Sequence, residues 1–354
     1  MPASQDPLTN SQIAELLAMA GEDAKPPLNR AYRRASRKAL LWEEEASHLN
    51  QEGRSLTELP GVGPYLEKII RGWIEVSPIV ASPPSIRKKF FTLTQVRSIL
   101  GHRPLWSRGL KGDLQMHSVW SDGSSSIQEM AEAGRARGYE YIAITDHSKG
   151  LKIAGGIDEQ QLAKQADEIA MVNESLRSAG HTFRVLRSIE VNLSPRGEVD
   201  MDLASLATLD IVLGCFHSAL RKKEDQTERY AAALQNPAIH ILGHPRGRIY
   251  NFRNGLSADW AKVFGIAAEL DKAVEIDSYP DRQDLSLDLL RLAQKAGCRI
   301  SIGTDAHGAS QLRFIEFGLA AALKAKIDPG RILNFMGNNE LLHWVTQLKK
   351  SKRS

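Results

Sequence analysis

An α/β fold is predicted for most of this 354-residue chain: a distorted, seven-stranded parallel (β/α) barrel preceded by a small all-α helix-hairpin-helix domain. Three observations predict it. From Gly112 onward, short β-like runs alternate with helical segments of ten residues or more, the pattern of βα units with right-handed crossovers. Six segments deliver His, Asp or Glu at their C-terminal end, the rim on which barrel enzymes place their chemistry. Residues 9 to 50 lack that alternation and read as helices. An open doubly wound sheet is the alternative, and it does not bring ligands from so many strands to one point.

In chain order, Asn10-Ser11 caps a first helix whose Ile13, Leu16, Leu17 and Met19 share a face. A second helix is expected from about Asn29 to Leu49. Leu59-Pro60-Gly61-Val62-Gly63 then forms a helix-hairpin-helix signature, in which glycines permit a tight turn and leave backbone amides facing outward. Such amides, with the next helix N-terminus, can meet a DNA phosphate without reading a base. Arg30, Arg33, Arg37, Gly61, Gly63 and Lys68 are the candidate DNA contacts, against a purely structural hairpin. Ser82-Pro83-Pro84-Ser85 breaks helical pattern and marks a linker docked through Trp106. Strands are expected near 113–117, 141–145, 184–190, 211–215, 239–243, 273–277 and 299–303. Helices are expected near 124–138, 158–179, 226–235, 257–269, 284–297 and 310–324. The domain reading is therefore 1–80 helical, 81–111 linker, 112–348 barrel and 349–354 basic tail.

Composition bounds the function. Forty-six Lys and Arg against 42 Asp and Glu leave a formal charge of +4, and its clustering at Arg30–Lys38, Arg87–Lys89 and Lys349–Arg353 fits a polyanion such as DNA or a set of solvated faces. Two cysteines make no disulfide framework, no apolar run nears the roughly 20 residues of a membrane span, and Met1–Asp6 lacks signal-peptide features. A cytoplasmic location is expected.

Two resemblances sharpen this reading. Asn29-Arg30-Ala31-Tyr32-Arg33-Arg34-Ala35 with the Leu-Pro-Gly-Val-Gly hairpin resembles the N-terminal 8-kDa domain of family X DNA polymerases. That family's Schiff-base lysine falls here on Ile69, with Lys68 one residue early, so DNA binding carries over and lyase chemistry does not. No room exists for a polymerase palm, which excludes templated synthesis. From Gly112 onward, Asp113-Leu114-Gln115-Met116-His117, Ser121-Asp122-Gly123, Thr145-Asp146-His147-Ser148, Glu190, His217-Ser218, His244-Pro245-Arg246-Gly247-Arg248 and Thr304-Asp305-Ala306-His307 are similar to the PHP (polymerase and histidinol phosphatase) domain, as fused to bacterial family X polymerases.

The resemblance implies a metal-dependent phosphoesterase with ligands His117, Asp122, His147, Glu190, His217, His244, Asp305 and His307. His117 and Asp305 would serve one ion, His217 and His244 a second, with Glu190 shared. Asp122, His147 and His307 would serve a third. Imidazole with carboxylate suits Mn²⁺ or Zn²⁺, with Fe²⁺ also compatible, and so many ligands imply two or three ions. The nucleophile expected is metal-bound water, with no protein nucleophile. Gln115 departs from the histidine of many PHP domains and makes a poorer ligand. Arg246 and Arg248 are candidate bidentate phosphate clamps, with pairing to Asp277 or Asp281 as the alternative; Tyr279 and Arg282 are weaker candidates. The expected activity is hydrolysis at DNA 3′ ends (exonuclease, 3′-phosphatase or abasic-site endonuclease) in repair. A small-molecule phosphatase of the histidinol-phosphate type and a non-catalytic DNA-binding module are the alternatives.

Overall fold

The computed structural model describes residues 6–350, and Ser351–Ser354 of the basic tail lie outside the described residues. The chain divides into two compact units: residues up to His102 together with Ile249–Asn254, and Arg103–Arg248 together with Gly255 onward. The stretch 81–111 is thus shared between them. Among the described residues no helix is long and apolar enough to cross a membrane.

The first unit is built on helices α1 (Asn10–Asp23), α2 (Leu28–Ala39), α3 (Ala46–Gln51), α4 (Pro64–Val76) and α5 (Leu93–Gly101). Thr9 and Gln12 form a reciprocal capping box that fixes where α1 starts. Helix α2 is sharply two-sided, with Tyr32, Ala35, Ser36 and Ala39 buried and Arg30, Arg33, Arg34, Arg37 and Lys38 exposed. Its buried side joins Ile13, Leu17, Trp42, Leu56 and Ile70 in one apolar cluster, completed by Tyr250 from the 249–254 segment.

The expected single helix over 29–49 is two helices. Tertiary contacts override the periodicity: the Leu40 carbonyl accepts from Leu93 N, and the fully buried Trp42 indole donates to the Pro60 carbonyl. Of the Arg87–Lys89 cluster, Lys88 and Lys89 are exposed, but Arg87 is withdrawn from any polyanion surface. Arg87 is buried and paired with Glu15 at 2.8 Å and with Glu22.

The second unit opens with α6 (Pro104–Gly109) and runs β1 (Gly112–Asp113), α7 (Ile127–Ala136), β2 (Tyr141–Ile144), α8 (Glu159–Ser178), β3 (Arg184–Arg187), β4 (Glu190–Asn192), α9 (Leu203–Ala207) and β5 (Leu213–Cys215). It continues α10 (Thr227–Gln235), β6 (Ile241–Leu242), α11 (Trp260–Glu269), β7 (Ala273–Asp277), α12 (Leu287–Ala296), β8 (Arg299–Gly303), α13 (Ile315–Ala325) and α14 (Asn338–Lys350). All strand pairs are parallel, and most strands are buried along their whole length, as expected where helices cover a parallel sheet.

The strands form two sheets, β1-β2-β3 and β4-β5-β6-β7-β8, in place of the single seven-stranded barrel expected. The extra strand arises because the run 184–190 changes partner. Arg184–Arg187 pair with β2, the chain turns at Ser188-Ile189, and Glu190 pairs with Leu213. Isolated parallel bridges, His147 to Glu190 and Met116 to Ala306, link residues of the first sheet's strand ends with those of the second. Both bridges lie at candidate ligands, so the backbone that joins the sheets also carries the site.

Candidate metal centre

Most candidate ligands stand just beyond a strand's C-terminal end; Asp122 lies farther out in the β1–α7 loop, and Glu190 opens β4 at the partner switch. Its fully buried carboxylate is the meeting point. Oε1 lies 2.8 Å from His217 Nε2 and 2.9 Å from His244 Nε2; Oε2 lies 3.4 Å from His117 Nε2 and 3.8 Å from His147 Nδ1. His117 Nε2 also sits 3.0 Å from Asp305 Oδ1. Asp122 closes the open side, 3.6 Å from His147 Nε2 and 3.4 Å from His307 Nε2. All eight residues predicted as ligands are therefore brought together. Their donor atoms form overlapping sets, including His117-Asp122-His147-His307, His147-Glu190-His217 and His117-Glu190-Asp305.

The donor set fits divalent cations. Nδ1 of His117, His147 and His244 are buried without hydrogen-bond partners, and five imidazoles face three carboxylates in one place. Protein hydrogen bonds alone leave those nitrogens unsatisfied, a cost a structural cluster would not carry.

The local backbone is shaped for this. Asp305 takes φ +52° and His244 φ +21°, conformations L-residues seldom adopt and that concentrate at functional sites. Thr304, just before Asp305, donates its hydroxyl (2.6 Å) and its N–H (3.1 Å) to the buried Asp113 carboxylate, which ties β1 to the end of β8. A Cβ at Gly303 would come within 2.4 Å of Glu275 Oε1 and 2.6 Å of Gln115 Cβ, so only glycine leaves room for both.

Comparison with known proteins matches the PHP domain over residues 113–305, more than half of the chain. The chain belongs to the PHP domain family. It is 38% identical over 226 residues to a DNA polymerase/3′-5′ exonuclease PolX of Bacillus subtilis (strain 168), covering 64% of this chain and 39% of that protein. It is 27% identical over 227 residues to a probable phosphatase of Syntrophotalea carbinolica, covering 63% of this chain and 90% of that one. A solved structure of histidinol phosphate phosphatase from Lactococcus lactis, complexed with zinc, L-histidinol and phosphate, aligns with a TM-score of 0.45 at 16% identity, over 62% of this chain and 94% of that one. As a PHP phosphoesterase, the protein is a metal-dependent hydrolase.

Around the PHP centre, Gln115 and Asp146, whose positioning role does not show in the sequence motifs that contain them, hold the candidate ligands in place. Gln115 Nε2 donates to Glu190 Oε2 at 2.9 Å, so here this departure from histidine is a donor that steadies the shared carboxylate. Asp146 accepts from Ser118 N (2.8 Å), Ser118 Oγ (2.6 Å), Ser121 Oγ (2.5 Å) and Gln165 Nε2 (2.7 Å), pinning the loop that presents Asp122. Polar side chains in loops carry no periodicity, and their only signal was proximity to motif histidines.

The arginines are distributed differently from expectation. Arg248 is 4% exposed, and its Nε donates to the Arg282 carbonyl. Burial lowers its guanidinium pKa to about 10. Arg246 is half-buried, with Nε donating to the Leu256 carbonyl, while its backbone N–H and that of Gly247 both donate to Asp284 Oδ2. Arg282 reaches the centre instead, its Nε 3.2 Å from Asp305 Oδ2 and 3.7 Å from Asp277 Oδ2, with the side chain 28% exposed. Tyr279 stands beside it, ring centroid 6.5 Å from that of His307.

Burial and the close packing of carboxylates against imidazoles set the ionisation of the centre. Burial opposes ionisation of Glu190, but the surrounding histidines override it and hold the carboxyl well below its ordinary value. Burial likewise opposes ionisation of Asp305, and Arg282 together with the His117 hydrogen bond lowers its pKa. Burial dominates at His147 and takes it down to about 4, leaving a neutral ligand at pH 7. At His117, His244 and His307 burial is outweighed by the adjacent carboxylates, and all three are raised.

Cys215, two residues before His217, is a free, buried thiol pushed up by burial and by Glu190. In the first unit, Arg30, Arg33, Arg37, Gly61, Gly63 and Lys68 are all exposed, and Ile69 is half-buried. Gly61 takes φ +84°, as a tight turn requires.

Proposed function

We propose that this PHP protein hydrolyses phosphodiester or phosphomonoester bonds at DNA 3′ ends, as a 3′–5′ exonuclease and 3′-phosphatase, in DNA repair. Abasic-site endonuclease activity would draw on the same centre. The observation that carries the hydrolytic part is the Glu190 carboxylate, approached by four histidines in a buried site with one open side. His117, Asp122, His147, Glu190, His217, His244, Asp305 and His307 would hold two or three Mn²⁺ or Zn²⁺ ions. Such cations, when bound, supply Lewis acidity toward phosphoryl oxygen and water.

The chain's own residues do the rest. Asp122, His217 and His307 retain 33, 16 and 27% side-chain exposure, so a phosphate enters on their side. Arg282 is anchored through Nε to the Asp305 carboxylate and offers the remaining guanidinium N–H groups to a phosphate oxygen; the fixed fork suits that task better than a lysine would. Gln115 and Asp146 keep Glu190 and the Asp122 loop in place while charge builds on the phosphate. DNA as the substrate is supported by the exposed basic face of α2 beside the Gly61–Gly63 turn, and by the PolX relative. Two free, buried cysteines fit a reducing cytoplasm.

A second reading, a small-molecule phosphatase, is supported by the probable phosphatase that aligns over 90% of its own length with this chain. One assay separates the two. Purified protein is given 3′-labelled single-stranded, gapped and 3′-phosphorylated DNA, and separately a small phosphomonoester, with Mn²⁺ and Zn²⁺ titrated and His217→Ala as control. DNA-end hydrolysis that His217→Ala abolishes is expected. Turnover of the small ester alone would establish the second reading instead.

A further inference from the structure

Asn192 closes β4 two residues after Glu190, so the two side chains share one face of the strand. Its Oδ1 lies 3.1 Å from Nδ1 of His217, while the opposite nitrogen of that ring lies 2.8 Å from Glu190 Oε1. Behind Asn192 stands a hydrogen-bonded anchor. Its backbone N–H donates to Ser148 Oγ (2.9 Å) and Asp200 Oδ1 (3.2 Å), and Asp200 also accepts from Ser148 Oγ (2.7 Å) and Gly150 N (2.6 Å).

That anchor also borders the amide nitrogen. A Cβ at Gly150 would come within 2.4 Å of Asp200 Oδ2 and 3.0 Å of Asn192 Nδ2, so the amide nitrogen and the carboxylate border the same spot. Reversing the amide would set its carbonyl oxygen on the carboxylate side, acceptor toward acceptor. The observed orientation instead turns the carbonyl oxygen to the imidazole, where it accepts the Nδ1 proton.

The remaining four histidines differ. Nδ1 of His307 meets a backbone carbonyl, that of Asp305, at 2.8 Å, and Nδ1 of His117, His147 and His244 have no hydrogen-bond partner. Among the described residues, His217 is the one candidate ligand whose outer nitrogen is held by a side-chain amide.

We propose that Asn192 is a positioning residue for His217: it holds the Nδ1 proton, fixes the ring's tautomer, and aims the Nε2 lone pair at the point shared with Glu190 where a divalent cation is held. An outer partner of this kind orients a ligating imidazole and typically contributes about 10–100-fold in metal affinity. The proposal rests on the reading of this centre as a metal site. Because an amide is neutral, it orients the ring without the added basicity a carboxylate partner would confer.

The test uses the full-length, metal-free protein and titrates Zn²⁺ and Co²⁺ alone, without substrate. Asn192→Leu should weaken the ion bound at His217 by about 10–100-fold. The His217→Ala, Asn192→Leu double variant should bind no more weakly than His217→Ala, since the amide acts through the ring; a general structural effect would add. Independently of any variant, ¹⁵N-histidine NMR of the zinc-loaded wild type should show His217 metallated at Nε2 and protonated at Nδ1. Unchanged affinity in a folded Asn192→Leu protein, or metallation at Nδ1, would overturn the proposal. Absence of zinc binding by the wild type would instead remove the metal centre itself, a separate failure.

Discussion

The Glu190 centre and the basic face of α2 both concentrate charge, and they do so in opposite ways. At Glu190, ionisable groups are buried, paired within 2.8–3.8 Å and held by surrounding hydrogen bonds. On α2 the arginines stand in solvent along a helix whose other side is core. Burial makes the first region costly to assemble and specific in what it accepts, because an unmatched charge there cannot be screened. Exposure makes the second inexpensive and permissive, suited to a phosphate backbone of any sequence and sensitive to salt.

The strongest way to break that contrast is at its buried pole. Glu190→Gln removes the shared carboxylate charge and should lower metal affinity and turnover by more than about 100-fold, with both read by zinc titration and DNA-end hydrolysis. Little change would mean that the histidines do not converge on Glu190 in function. Arg282→Ala should cost about 10²–10³ in kcat, as expected when an oriented donor to a developing oxyanion is lost, and Arg282→Lys should recover little of it. Arg248→Lys should change kcat far less, because that side chain is spent on the Arg282 carbonyl.

Burial also carries a stability signature away from the site. Arg87→Leu leaves the Glu15 carboxylate buried and uncompensated, and should destabilise the protein by about 3–5 kcal/mol in urea denaturation. The pH response of the centre follows from its raised histidines. The adjacent carboxylates raise His117, His244 and His307 in the metal-free protein, so protons compete with the cation there, and ligation needs the rings neutral. Metal uptake at pH 7 should therefore release protons, and affinity should fall as pH falls, which calorimetry in buffers of different ionisation enthalpy measures. Uptake with no proton release would contradict those shifts. At the exposed pole, Arg30→Glu with Arg33→Glu should weaken DNA binding modestly, lower the salt slope by about one for each cation removed, and leave hydrolysis of a small ester unchanged.

The same contrast explains what was legible in the sequence. Ligands at strand ends announce themselves, because apolar runs ending in His, Asp or Glu repeat along the chain, and all eight meet. The arginines of α2 also stand out as a cluster, but its buried face of Tyr32, Ala35, Ser36 and Ala39 does not follow from apolar period alone. Residues whose role depends on what packs behind them are not legible. Arg248 follows His244 by four residues and looks like a clamp, yet its loop folds it inward, whereas Arg282, thirty-four positions farther along, arrives from the β7–α12 connection. Asn192 and Asp146 act through partners distant in sequence, Asp200 and Gln165 among them. Trp42 ends a helix that periodicity would continue, and Ser188-Ile189 split an apparently continuous strand because its two halves serve different sheets.

Anomalous diffraction from crystals of the wild-type protein grown with Mn²⁺ or Zn²⁺ tests the convergence of the buried centre most directly. At least two peaks are expected, one of them within about 2.0–2.2 Å of a Glu190 carboxylate oxygen and of His217 Nε2. A map in which no anomalous density falls among His117, Glu190, His217 and His244, at metal concentrations that support hydrolysis, would contradict it.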